Sequence, residues 1–158
     1  MPNKELSLPE IPLPALLRHA RTTYGFAMRQ ALEEAGYDDI PKNGLYVIGG
    51  LAMGVEGIPL SQLIRELRIS KQAAGQLVDA LVNRGYLERT IDPEDRRKLT
   101  VTLTERGKAA AATQAAAREK IDAELIRVVG QDNVDRTRHT LGVLIDMGCA
   151  AEHESDES

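Results

Sequence analysis

Residues 70–107 read SKQAAGQLVDALVNRGYLERTIDPEDRRKLTVTLTERG, and this stretch decides the fold. Its first part repeats at helical spacing. Ala74, Leu77, Val78, Leu81 and Val82 fall on one side, and Gln72, Gln76, Asp79 and Asn83 on the other. Ser70 has the short hydroxyl side chain that caps a helix N-terminus, and Gly85 stands where a helix over 70–84 has to end. After Gly85 the period changes to two. Leu99, Val101 and Leu103 alternate with Lys98, Thr100 and Thr102, which predicts a strand with 86–91 as its hairpin partner. The connection Asp92-Pro93-Glu94-Asp95-Arg96-Arg97 carries the Pro and Asp residues that set turns. Thr104 then caps an Ala-rich helix over 105–129, which Gly130 breaks.

Helices extend this centre on both sides. A short one over 60–67 joins 70–84 through a tight turn. Before it, 41–53 is a weaker helix, because Gly49 and Gly50 lower its stability while their small size lets another helix approach. The first long helix covers 12–35, with Leu13, Leu16, Leu17, Ala20, Tyr24, Ala27, Met28, Ala31 and Leu32 on one stripe and Gly36 at its end. A last helix over 133–147 puts Val134, Leu141, Leu144 and Ile145 on one side. The predicted order is α-α-α-α-β-β-α-α: a mainly α chain, one domain over 1–158, with a disordered acidic tail over 149–158 that is polar from Glu152 onward.

Composition narrows the function. The chain has 158 residues, 42% hydrophobic and 28% charged, the balance of a globular protein. Its net charge of −4 hides an asymmetry. Residues 60–108 carry 10 of the 20 Lys and Arg against 7 acids, whereas 109–158 carry 5 basic and 10 acidic groups. An acidic chain with one basic segment points to an anionic partner for that segment. One Cys (Cys149) and three scattered His exclude a disulfide framework and leave no metal cluster or cofactor to expect. The longest apolar run, 45–55, contains three Gly and is short of the roughly 20 residues a membrane span needs. The expected location is cytoplasmic. Phosphate loops, dinucleotide fingerprints and zinc-protease motifs are missing from the sequence, so an enzyme is not the reading.

Two short helices followed by a basic-tipped hairpin spell a winged helix-turn-helix. A helix fits the major groove, and a hairpin reaches backbone or the adjacent minor groove, where Arg is favoured. The segments Leu60-Ser61-Gln62-Leu63, Ile69-Ser70-Lys71-Gln72, Leu77 to Arg89, Asp92-Pro93-Glu94-Asp95-Arg96-Arg97 and Val101 to Gly107 resemble the MarR family of bacterial transcription regulators. The resemblance runs over about 16–147 and is strongest over 60–108. It implies a winged-helix DNA-binding core over 41–104, and a helical dimerisation region formed by 12–36 and 105–148. It also implies a homodimer placing two recognition helices in successive major grooves of a pseudo-palindromic operator, roughly 34–36 Å apart.

In the recognition helix, Ser70, Lys71, Gln72 and Gln76 are the candidate DNA contacts, and Gln can pair with adenine N6 and N7. Ala73, Ala74 and Gly75 stand where the family often has hydroxyl residues, so the operator cannot be read by analogy. In the wing, Arg97 matches the family's minor-groove arginine and Asp95 the carboxylate that orients it, with Arg89, Arg96 and Lys98 adding backbone contacts. Arg65 and Arg68 are further phosphate candidates. The family's usual companion is a small aromatic effector, for which His19, Tyr24, Met28 and Tyr46 could line a cleft. Cys149 has no adjoining base to stabilise a thiolate and reads as incidental. The chain therefore reads as a transcription regulator, most simply a repressor. The competing reading is a winged-helix protein-interaction module without DNA binding, which would call for a neutralised wing.

Overall fold

In the computed structural model, which describes residues 8–54, 58–97 and 99–156, a 3-10 turn (Leu8–Glu10) leads into the first helix. There follow α1 (Leu13–Glu34), α2 (Gly44–Met53), β1 (Ile58–Pro59), α3 (Leu60–Leu67), α4 (Lys71–Asn83), β2 (Leu87–Ile91), β3 (Leu99–Leu103), α5 (Glu105–Val129) and α6 (Gln131–Asp156). The expected helix and hairpin order holds, with β1 added. That strand pairs antiparallel with β3, Ile58 against Val101 and Pro59 against Thr100, giving the sheet order β1-β3-β2. Two residues cannot show an alternation, so the sequence carries no period to find them by. Pro59 lacks an amide hydrogen, which an edge position tolerates.

The helix ends follow local chemistry. The Ser70 hydroxyl oxygen accepts from the Ala73 amide at 3.1 Å and opens α4. Gly85, at φ +79, closes it and turns the chain directly into β2. Thr104 opens α5 in the same way, its hydroxyl oxygen accepting from the Gly107 amide at 3.1 Å. Gly130, at φ +84, separates α5 from α6.

The far end of α6 differs from the sequence reading. The helix continues to Asp156, through the 149–158 segment expected to be disordered. Gly148 is the one helix breaker near this end, and a single glycine costs only about 1 kcal/mol. Ala150, Ala151 and Glu152 behind it are good helix formers, and acidity alone does not melt a helix already propagating.

The chain divides into two compact units, 1–118 and 119–158. The first holds the core. Leu32 of α1, Leu45, Val47, Ile48 and Leu51 of α2, Val78 and Leu81 of α4, Tyr86, Leu87 and Val101 of the hairpin, and Ala110 and Ala111 of α5 are buried together. Gly49 permits the close approach its size suggests. A Cβ there would stand 2.5 Å from Nε2 of Gln114, whose side chain crosses from α5 to donate to the Leu45 carbonyl at 2.9 Å. Gly50 faces open space and takes no part. In the second unit Val134 is buried, while Leu144 and Ile145 of its expected stripe are exposed. Among the described residues no helix is long and apolar enough to cross a membrane.

Candidate nucleic-acid interface

α4 is fixed by its inner face. Ala74, Leu77, Val78 and Leu81 are buried, so Lys71, Gln72, Gln76, Asp79 and Asn83 are turned outward and exposed, as the periodicity predicts. The amides of its first turn add partial positive charge beside Lys71. Ser70 spends its acceptor on the cap, which leaves its hydroxyl proton as the only group it can offer a phosphate. The turn before α4 passes through Arg68 in left-handed conformation, φ 50, and the Arg68 amide donates to the Arg65 carbonyl at 3.3 Å. Both Arg side chains are exposed.

β2 and β3 pair in register, Leu87 with Leu103 through Ile91 with Leu99, and carry the tip residues 92–97 outward. Two aspartates build that tip. Asp92 accepts from the Glu94 amide at 2.9 Å, and Asp95 accepts from the Arg97 amide at 3.0 Å. The Asp95 carboxylate thus holds the backbone of residue 97 in an Asx turn. Arg96 and Arg97 are exposed. Lys98 lies outside the described residues. Arg89 is placed differently from Arg96 and Arg97: its guanidinium is paired with the Asp79 carboxylate on α4.

Behind this surface lies a polar cluster that no local sequence signal marks. Tyr86 is fully buried, and its hydroxyl donates to the Asp39 carboxylate. Arg106 Nη2 donates to the Tyr86 oxygen at 3.0 Å and to Asp39 at 3.2 Å, and its guanidinium lies 4.6 Å over the Tyr86 ring. Arg84 donates to the Asp39 carbonyl. The cluster ties the loop after α1 to the base of the hairpin and the first turn of α5. Burial, reinforced by the bond to Asp39, pushes the Tyr86 hydroxyl up to about 12. The same hydrogen bond is the main cause holding Asp39 below the usual carboxylate value, with Arg106 adding to it against some desolvation.

Of the four residues expected to line an effector cleft, three gather at the core. Met28 is in the core, Tyr24 and Tyr46 pack half-buried against it, and His19 is exposed. The Tyr46 ring is covered by the Arg21 guanidinium at 4.2 Å. The 880 Å³ cleft found among the described residues lies elsewhere, lined by Leu51, Ala52, Glu88, Thr90, Thr102 and Lys108 among others, and none of those four side chains borders it. Helical spacing aims Met28 and Leu32 of α1 inward, which makes Met28 core before it can be pocket.

Comparison with known proteins matches this geometry. Residues 41–98 fit the family model described as MarR family. Over that segment the chain is similar to the MarR family. That segment spans α2 to the tip of the hairpin and so contains the whole of α4. No curated protein matches the chain. Among solved structures, the Staphylococcus aureus MepR–DNA complex is 16% identical with a TM-score of 0.69, covering 87% of this chain and 99% of that one. CouR, a transcriptional repressor bound to a 23-mer DNA duplex, is 23% identical with a TM-score of 0.68, covering 87% and 94%. The reduced form of MarR from E. coli is 23% identical with a TM-score of 0.66, covering 85% and 96%. At these identities the likeness establishes that the chain has the MarR fold.

Proposed function

We propose that this chain is a sequence-specific DNA-binding transcriptional regulator, working as a homodimer that represses a nearby promoter. The observation that carries the reading is the outward stripe Lys71, Gln72 and Gln76 on α4, beside a hairpin tip that exposes Arg96 and Arg97. The segment similar to the MarR family holds all of these, and relatives of the same fold are structures of DNA complexes. An interaction module would have little use for two exposed arginines on a turn built by Asp92 and Asp95. Exposed Leu125, Val128 and Val129 at the end of α5, and Val143, Ile145 and Met147 on α6, supply apolar surface for a second copy.

The mechanism is steric. A dimer seated over a promoter excludes polymerase, and a small-molecule effector that favours a different spacing of the two α4 helices releases it. Such a ligand acts only through unequal affinity for the two arrangements. The test is a titration against DNA immediately upstream of the chain's own gene, at two salt concentrations and with non-specific competitor. Saturable binding that survives competitor and weakens steeply with salt supports the reading. Failure to bind at low salt overturns it in favour of the interaction module. Calorimetry with aromatic carboxylates tests the effector, and absence of heat together with unchanged DNA affinity removes that part.

A further inference from the structure

We propose that Asp79 limits the affinity of this chain for DNA by holding the Arg89 guanidinium away from phosphate. The inference rests on the DNA-binding reading above and adds a residue to it. Asp79 is the one acid of α4 and lies on the exposed stripe, three residues beyond Gln76. Arg89 is on β2, directly across from the buried Val101, and so faces the α4 side of the hairpin. The two side chains meet as an ion pair with both partly exposed, 34% for Arg89 and 59% for Asp79. Lys71, Arg96 and Arg97 form no ion pair among the described residues. Of Lys71, Arg89, Arg96 and Arg97, it is Arg89 that is matched by a carboxylate among the described residues.

The magnitudes decide what the pair does. An exposed ion pair contributes at most about 1 kcal/mol to stability, so it is a weak brace. Its effect on a polyanion is larger. Each phosphate contact releases condensed counterion, so at about 0.15 M salt one extra contact raises affinity about fivefold and steepens the log–log salt slope by about 0.9. A guanidinium that must first leave Asp79, or dock with that carboxylate beside it, forfeits this gain. Arg89 has the planar donor set that suits phosphate, and Asp79 engages its Nη2 in advance.

The experiment is a charge cycle measured on the upstream duplex and on a scrambled duplex of equal length, as a function of salt. Asp79→Asn is expected to tighten binding to both duplexes by the same factor, about fivefold for each protomer engaged, with the slope steeper by about 0.9. Arg89→Gln leaves Asp79 unmatched and is expected to weaken both by a similar factor. The double variant Asp79→Asn with Arg89→Gln is expected to return within twofold of wild type. Glu88→Gln adds the same charge on the opposite face of the hairpin, where Glu88 pairs across from Thr102, and is expected to leave affinity unchanged. Weaker binding by Asp79→Asn, a double variant no better than its worse parent, or an equal gain from Glu88→Gln overturns the proposal and leaves the DNA-binding reading standing. A wild-type chain that binds neither duplex overturns both.

Discussion

The Tyr86 carbonyl oxygen lies 2.1 Å from where a Cβ on Gly107 would stand. The same carbonyl accepts from the Thr104 amide at 3.1 Å, so the base of β2 and the first turn of α5 are locked backbone to backbone. Gly107 closes the segment Val101 to Gly107 that carries the family resemblance, and this contact is the physical reason a glycine stands there. Gly107→Ala meets a backbone carbonyl, which cannot swing aside as a side chain can. It is expected to cost about 3 kcal/mol, the upper part of the usual overpacking range. Thermal unfolding followed by circular dichroism should show a lowered midpoint, and an unchanged midpoint would contradict the contact.

Tyr86 and Asp39 give stability a pH dependence with opposite windows. Asp39 is lowered from 3.8, so the folded chain holds its proton less tightly than the unfolded one. Its contribution is present above that ordinary value and is lost as pH falls through the folded one. Tyr86 is raised from 10.0 to about 12, so its contribution is complete below pH 10 and is lost as pH climbs toward 12. Tyr86→Phe is expected to cost about 1 to 2 kcal/mol at neutral pH, since it leaves a hydrogen-bonding network short of one member. Denaturant unfolding across pH 9–12 should show the alkaline decline flattened in Tyr86→Phe relative to wild type. Parallel curves would sink the assignment.

Ser70 separates capping from DNA contact. Ser70→Ala removes the acceptor for the Ala73 amide and is expected to cost about 1 kcal/mol. Ser70→Asp restores an acceptor and suits the helix dipole, so stability should return. It also sets a carboxylate on the face that would meet phosphate. DNA affinity should then fall about fivefold per protomer, with a salt slope shallower by about 0.9. Comparing unfolding midpoints with duplex titrations for both variants checks this, and equal DNA binding by wild type and Ser70→Asp would move the interface away from the start of α4.

How much was legible depends on the range of the interaction. α4 and its caps were readable because Ser70, Gly85 and the Leu77-Val78-Leu81 spacing are local statements about one helix. The hairpin was readable from a change of period and two turn-forming aspartates. β1 was not, because two residues show no period and its partner in β3 is more than 40 positions away. The Asp39–Tyr86–Arg106 cluster spans 67 residues and joins three elements, so it exists only once the chain has folded. Asp79 illustrates the same limit. The sequence places it on the outward face of α4, but only the packing of β2 on that helix brings Arg89 to it.

The wing and the helix should fail differently when cut back. Arg97 is exposed at a tip whose shape is set by Asp92 and Asp95, so it can meet backbone or a narrow groove but carries no donor pattern that separates most bases. Arg97→Ala is expected to weaken upstream and scrambled duplexes alike and to make the salt slope shallower by about 0.9. Gln72 presents an amide that can pair with adenine, so Gln72→Ala should cost about 1 to 3 kcal/mol on the preferred sequence and little on others. Asp95→Asn tests what the carboxylate does for the tip. Its amide oxygen can still accept from the Arg97 amide, so the turn persists and one negative charge is gone. Binding should be equal to wild type or tighter. Had the carboxylate been needed to aim the guanidinium, Asp95→Asn would instead bind as poorly as Arg97→Ala, and a titration of the two variants side by side decides between these arrangements.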